Sequence, residues 1–133
     1  MSTIFTKIIS GDIPCHKILE DDDYLAFLDI RPIKQGHTLV IPKKEVDYIF
    51  DMEDGDLSGL MIFAKKAAKM IQAKISCRRI GVIVCGIEVP HTHVHLVPFD
   101  AISDLSFAHA KDVPAEELAK TAALIRGGSD CLL

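Results

Sequence analysis

The stretch that most constrains this chain runs from His91 to Pro98 and places a histidine at every second position of its first half. A spacing of two is the period of a β-strand, so His91, His93 and His95 are predicted to leave one face of a single strand. The alternate positions hold a threonine and two aliphatic residues, which suit the buried face. Three ionisable side chains in a row pack poorly against a core and suit an anionic substrate.

The same spacing bears on metal binding. Because a strand rises about 3.3 Å per residue, His91 and His95 are expected to lie roughly 13 Å apart. Zinc–nitrogen bonds measure only about 2.0–2.1 Å, so all three imidazoles reach one ion only if the strand bends sharply. The row therefore favours an extended substrate, with His93 flanked by two groups that orient it or bind charge, as an activated nucleophile requires. A zinc site on His91, His93 and His37 remains an alternative.

Length and composition predict one domain spanning residues 1–133. The net charge is −4 and there is no basic run, which disfavours nucleic acid as a partner. No apolar run approaches the length of a membrane span, and no secretory signal begins the chain. The four cysteines show no metal-binding spacing, so we expect a cytoplasmic protein with free thiols.

Apolar periodicity, punctuated by glycine and proline, predicts five strands, at 16–20, 24–28, 37–42, 80–84 and 88–99. It also predicts a short helix at 4–9, a turn at 21–23, a long helix from about 51–56 to 75, and a helix that begins at Pro114. This last helix has an apolar seam of Leu118, Ala122 and Ile125, and residues 129–133 after it are expected to form a tail. Strands and helices without strict alternation favour an α+β fold with an antiparallel sheet. The long helix should cover one face of that sheet with the stripe Leu57, Leu60, Met61, Ala64, Ala67, Ala68, Ile71 and Ile75.

These residues make the chain resemble the histidine triad superfamily of nucleotide hydrolases and transferases. Its signature, His-φ-His-φ-His-φ-φ with φ apolar, is matched by residues 91–97, with one polar φ at Thr92. Three further segments match in the same order, at 4–9, 25–30 and 36–44. The resemblance runs from Ile4 to about Pro98 and so covers most of the chain. It implies a core at about 3–99 and a C-terminal extension at 100–133.

The resemblance implies a five-stranded antiparallel sheet with a long helix on one face, a short N-terminal helix and an extra C-terminal helix. It also implies a homodimer whose sheets join, no cofactor or metal, and a nucleotide substrate, with purine as the expected base. By motif position His93 would attack the α-phosphorus, while His91 and His95 flank it and His95 hydrogen-bonds the phosphate. His37 matches a fourth histidine that helps to orient the nucleophile.

The remaining site residues implied by the resemblance bind the nucleoside. Asp29 matches the carboxylate that accepts hydrogen bonds from the ribose hydroxyls. Glu88 and Val89 complete the predicted set, although phosphoramidate-hydrolysing members carry Ser or Thr where Glu88 stands. Glu88 therefore either acts as a general acid or is a turn residue. The apolar walls around the base would be Ile4, Phe5, Ile8, Phe27 and Ile30.

Two classes of function follow from these residues. The first is a nucleotide phosphoramidate or nucleotidyl hydrolase, or a transferase, that works through a covalent nucleotidyl-histidine. The second is a nucleotide-binding regulatory module with little turnover, which the change at Glu88 motivates. The extension at 100–133 is expected either to cover the site or to extend the dimer interface.

Overall fold

The computed structural model of the chain describes residues 3–127. Five strands and three α-helices, numbered in chain order, account for the regular structure of this part. They are α1 (Ile4–Ser10), β1 (Lys17–Glu20), β2 (Tyr24–Leu28), β3 (Thr38–Pro42), α2 (Asp54–Lys74), β4 (Arg79–Ile83), β5 (Val94–Phe99) and α3 (Ala115–Ile125).

The strands form one antiparallel sheet in the order β1-β2-β3-β5-β4, which confirms the predicted α+β fold. The first hairpin is closed by Asp21, whose carboxylate accepts the backbone N–H groups of Asp23 and Tyr24, each at 2.8 Å. An aspartate that binds its own backbone two and three residues on is a strong turn former. The predicted turn at 21–23 is thereby confirmed.

Helix α2 covers one face of the sheet, and its contacts define the main core. The residues of α2 that are buried there are Leu60, Phe63, Ala64, Ala67 and Ile71. The predicted stripe is wrong at Met61, which is 40% exposed, and it omits Phe63, which is 3% exposed and packs its ring on Tyr24 at 5.6 Å. The stripe is otherwise correct in phase, so the helix lies as predicted.

Helix α1 packs on the opposite face, over the β2–β3 half of the sheet. A reciprocal pair of hydrogen bonds between Thr3 and Thr6 caps its first turn, and Gly11 ends it in the left-handed conformation with φ of 89°. Phe5 is the buried residue of this helix. It belongs to a second apolar cluster whose buried members are Phe5, Leu25, Phe27, Leu39 and Ile41.

Helix α3 closes the edge of the sheet at β1, where the Arg126 guanidinium donates to the carbonyl of Lys17 at 2.7 Å. Its predicted seam of Leu118, Ala122 and Ile125 is buried. In the part of the chain from residue 3 to residue 127, no helix is long and apolar enough to cross a membrane. Cys15, Cys77 and Cys85 are free thiols. Cys131 and the predicted tail at 129–133 lie outside the described residues.

Candidate active site

The histidine row does not lie on one strand, because β5 begins only at Val94. The predicted strand at 88–99 is therefore wrong over its first half, and His91 and His93 lie on the loop before it. Thr92 holds this loop in place, since its N–H and its hydroxyl both donate to the Val46 carbonyl at 2.7 Å. The polar residue at this position of the signature thus anchors the loop. His93 and His95 remain neighbours, with ring centroids 5.0 Å apart.

Backbone carbonyls fix the tautomers of the first two histidines. A carbonyl oxygen can only accept, so His91 Nε2–H donates to the Pro42 carbonyl at 2.7 Å. In the same way His93 Nδ1–H donates to the His91 carbonyl at 2.8 Å. Neutral His93 therefore keeps its lone pair on Nε2. That nitrogen is the one free to act as a nucleophile.

A second pair of histidines is ordered by a backbone N–H group. The N–H of Ile33 donates to His37 Nδ1 at 2.9 Å, so neutral His37 carries its proton on Nε2. That proton lies on the 2.9 Å contact to His95 Nδ1, which must then accept it. His95 in turn carries its own proton on Nε2 and offers it as a donor. His37 thus contacts His95, and it reaches the predicted nucleophile only through this neighbour.

Burial keeps these imidazoles neutral. Desolvation lowers the pKa of His37 to about 4, and desolvation followed by the neighbouring His37 and His93 lowers the pKa of His95 to about 4. Burial also lowers the pKa of His91, whose Nδ1 is the buried polar side-chain atom without a hydrogen-bond partner among residues 3–127. Neutral His37 and His95 at neutral pH are what a hydrogen-bond relay needs.

Asp29 lies beside this relay, directly after β2. Its Oδ1 accepts the N–H of Arg31 at 2.9 Å, and its Oδ2 lies 3.6 Å from His37 Nε2, beyond hydrogen-bond distance. Burial raises the pKa of Asp29, although the N–H of Arg31 and the neighbouring His95 and His93 oppose the shift. The structure therefore brings Asp29 together with His37 and His95, as the predicted site requires.

The predicted base walls divide into two groups. Phe5 packs edge-on against His93 at 5.0 Å and against Phe27 at 5.8 Å, and Ile8 and Val89 pack on the same cluster. Ile4 and Ile30 lie outside that cluster and are 46% and 63% exposed. Glu88 is exposed on the loop between β4 and β5. The structure thus joins four of the predicted apolar and loop residues into one wall.

One group of residues has the donors for a metal ion. The group is Asp29, His37 and His95, each of which offers one ligand atom, and these atoms all lie within 4.8 Å of one another. Among residues 3–127 it is the one group of at least three His, Cys, Asp or Glu side chains placed in this way. The donor set does not fit a metal, because Ile33 N–H occupies His37 Nδ1 and leaves the proton on the Nε2 that would have to bind the ion. The alternative set of His91, His93 and His37 is not brought together.

Three contacts of the site escaped prediction from the sequence. Two are backbone groups, the Ile33 N–H and the Val46 carbonyl, whose partners lie in other segments of the chain. The third is Phe107, whose ring meets His95 edge-on at 4.9 Å. It is the one Phe, Tyr or Trp between residues 100 and 112. A large aromatic residue in a segment without helix or strand periodicity was the sequence signal that could have indicated this contact.

Comparison with protein families and curated proteins shows which family the chain resembles. The HIT domain family model matches residues 10–102. An uncharacterised HIT-like protein of Methanocaldococcus jannaschii is 36% identical over 124 residues, which are 88% of this chain and 95% of the relative. The adenosine 5′-monophosphoramidase of Schizosaccharomyces pombe is 37% identical over 99 residues, 74% of each chain.

Solved structures show the same architecture. A Hit-like protein from Bartonella henselae, crystallised with an unknown ligand, superposes with a TM-score of 0.84 at 32% identity and covers 96% of this chain and 97% of its own. A zinc-bound histidine triad family protein from Mycobacterium smegmatis superposes with a TM-score of 0.82 at 30% identity, over 96% of this chain and 92% of its own. Both similarities extend beyond the core into the C-terminal region.

Proposed function

The chain belongs to the HIT domain family, and on this basis we propose that it cleaves nucleoside 5′-phosphoramidates and related nucleotide conjugates at the α-phosphate. The acceptor is water in a hydrolase or another group in a transferase. One observation carries the proposal: the His91 carbonyl accepts a hydrogen bond from His93 Nδ1–H, which leaves the lone pair of neutral His93 on Nε2. A purine base and a covalent nucleotidyl-His93 are part of the same proposal.

The reaction has two steps. His93 Nε2 attacks the α-phosphorus, an N–P bond forms, and the P–N bond to the leaving group breaks with its electron pair going to nitrogen. The nitrogen takes a proton from solvent or from Glu88 and leaves as the amine. Water then attacks phosphorus, the bond to His93 breaks, and the nucleoside monophosphate and a proton are released.

The other histidines stabilise the charge that develops on the phosphoryl group and keep one another correctly oriented during both steps. His95 carries its proton on Nε2 and donates it in a hydrogen bond to a phosphoryl oxygen as charge develops there. His37 keeps His95 in this tautomer through the 2.9 Å contact, and Ile33 does the same for His37. Preorganised donors of this kind cost no reorganisation at the moment of reaction.

The nucleoside is held on the α1 side of the triad. Asp29 Oδ2 is the oxygen that accepts hydrogen bonds from the ribose hydroxyls, since Oδ1 already accepts the Arg31 N–H. Ile4, Ile8 and Ile30 are at least partly exposed and offer apolar surface for the face of a purine. Phe5 and Phe27 are buried in the cluster against which Ile8 and Val89 pack.

A mass-spectrometric trap tests the proposal. The protein is mixed with adenosine 5′-phosphoramidate, quenched in mild base, and digested, and the peptide with residues 91–95 should carry an adenylyl group. His93→Ala should abolish the adduct and the release of adenosine monophosphate, and His16→Ala, at a histidine outside the site, should change neither. An adduct that persists in folded His93→Ala would refute the assignment of the nucleophile.

Two alternatives are decided by the same preparation. A regulatory module would bind adenosine monophosphate tightly and release no product from a saturating phosphoramidate over hours. A zinc protein would lose folding or activity on treatment with a chelator. The hydrogen bond from Ile33 to His37 argues against the zinc alternative, and the free lone pair of His93 argues against the regulatory module.

A homodimer, acting in the cytoplasm, completes the proposal. Strand β4 is an edge of the sheet, and Val82 on its α2 face is 53% exposed. Met61 and Ile62 of α2 are 40% and 57% exposed, so the helix on this face also carries exposed apolar side chains. Val82→Glu should convert a dimer to a monomer in light scattering, whereas Ile102→Glu, at an exposed residue elsewhere, should leave the mass unchanged. A monomeric wild type would refute the dimer.

A further inference from the structure

The chain after β5 crosses the face of the sheet that carries the site. We call residues 100–113 the strap. Gly81 pairs with Val97, two residues beyond His95, so all three lie on the site face. Leu105 packs directly over Gly81, where an added Cβ would lie 3.1 Å from Leu105 Cδ2. The strap therefore covers the β4–β5 half of this face, while α1 covers the β2–β3 half.

Polar contacts within the strap keep it ordered. The Asp104 carboxylate accepts the N–H groups of Asp100 and Ala101 at 2.9 and 3.0 Å. The ring N–H of His109 donates to the Ser103 carbonyl at 3.0 Å. These bonds close the two short 3₁₀ turns of the strap, at Ile102–Asp104 and Phe107–His109. Phe107 is thus presented on a folded turn.

Two cations of the β2–β3 loop fasten the strap beside the site. Arg31 bonds the Asp112 carboxylate at 3.1 Å and the Ala110 carbonyl at 3.3 Å. Lys34 lies 3.6 Å from the Asp104 carboxylate. The loop that holds Asp29 and His37 is therefore the loop that holds the strap, and the distance between the strap and the catalytic histidines is fixed from both sides.

The rings of the site stand in a row. Phe5 meets His93 at 5.0 Å, His93 meets His95 at 5.0 Å, and His95 meets Phe107 at 4.9 Å. Phe107 is 45% exposed, so much of its ring is open to a ligand. The proposed nucleophile stands between Phe5 and His95, with an aromatic wall beyond it on each side.

We infer that Phe107 forms the wall of a leaving-group subsite that takes an apolar or aromatic amine. The inference rests on the proposed function. A leaving group that departs on the side of His93 opposite to Phe5 passes His95 and comes to Phe107, because the four rings stand in that order. An exposed phenylalanine face or edge offers that substituent an aromatic contact and no charge to pair with.

The test compares two substrates that differ only in the leaving group, adenosine 5′-phosphoramidate and its N-benzyl derivative. Phe107→Ala should lower kcat/KM for the benzyl substrate by about three- to tenfold, the size of one aromatic contact, and leave the unsubstituted substrate within about twofold. Phe107→Leu should fall between the two. Phe50→Ala, at a 75% exposed phenylalanine outside the site, is the matched control and should change neither rate.

Other outcomes overturn the inference. Equal losses for both substrates would mean that Phe107 supports His95 and contacts no leaving group. Weaker binding of adenosine monophosphate to Phe107→Ala would mean that the ring contacts the nucleoside. If the wild type turns over neither substrate, the proposed function fails by itself. Calorimetric binding of the two conjugates then still decides the subsite, because a benzyl preference that survives in Phe107→Ala would refute it.

Discussion

Acidification should destabilise the folded chain through His37 and His95. Burial lowers the pKa of each to about 4, whereas an unfolded histidine titrates near 6.5. Between these values the unfolded chain binds a proton at each position and the folded chain does not, so the free energy of unfolding falls as pH falls. Linkage gives a loss of about 2 kcal/mol per imidazole on going from pH 7.5 to pH 5, or about 4 kcal/mol for the pair.

Urea denaturation at pH 7.5, 6.5, 5.5 and 5 measures this loss. His37→Asn keeps an acceptor for the Ile33 N–H and removes one titrating group, so the slope of stability against pH should decrease by about one bound proton, or about 1.4 kcal/mol per pH unit. His16→Gln, at a histidine outside the buried pair, is the control. A wild-type slope in His37→Asn would refute the assignment of His37 as a buried neutral histidine.

Three further predictions follow from the same contacts. His37→Leu should lower kcat/KM by about tenfold and His37→Gln by less, because the Gln amide can still donate to His95; equal losses would contradict the relay. Asp29→Asn should raise KM by about 10- to 100-fold with little change in kcat, as expected for hydrogen bonds from ribose to a charged acceptor, and a fall in kcat alone would contradict that role. Gly59→Ala should lower the free energy of unfolding by about 1–3 kcal/mol, since the new Cβ would overlap the Tyr24 hydroxyl and lie 2.9 Å from its Cζ; Tyr24→Phe in the same chain should recover part of the loss in thermal denaturation.

The elements that the sequence pattern predicts well are those set by local chemistry. The Asp21 turn and the glycine that ends α1 are read from two or three neighbouring residues. Helix α2 was harder, because Met61, Ile62 and Phe63 are consecutive and all apolar. Periodicity then leaves the phase of the stripe uncertain by one residue. Which of the three side chains is buried is decided by the residue that packs against the helix. Phe63 is buried because Tyr24 of the neighbouring strand lies against it.

The histidine row shows a different limit of prediction from residue spacing. A period of two predicted that the three imidazoles share one strand, and the rings of His93 and His95 are indeed neighbours, yet the strand begins later than predicted. A strand needs a partner for its backbone, and Thr92 finds its partner in the Val46 carbonyl, on the loop after β3. The tautomers of His93 and His37 were equally beyond the sequence, because each depends on one backbone group placed by the fold.

Gly36 of the β2–β3 loop connects the packing of the core with the position of His37. Its φ of 94° lies in the left-handed region that glycine tolerates. An added Cβ there would lie 3.2 Å from Ile75, 3.3 Å from Pro98 and 3.4 Å from Ile71, so the core leaves no room for a side chain. This close approach brings Ile33 N–H and His37 together.

Gly36→Ala should therefore act at two levels. The left-handed conformation and the tight packing should lower the free energy of unfolding by about 1–3 kcal/mol. A shifted loop would also free His37 Nδ1 from its donor, and the tautomer of His95 would no longer be fixed. In ¹⁵N spectra of the imidazoles, His95 should change from one tautomer to a mixture, while His91, bonded to the Pro42 carbonyl, should not change. A single unchanged His95 tautomer in the destabilised variant would show that the loop serves stability alone.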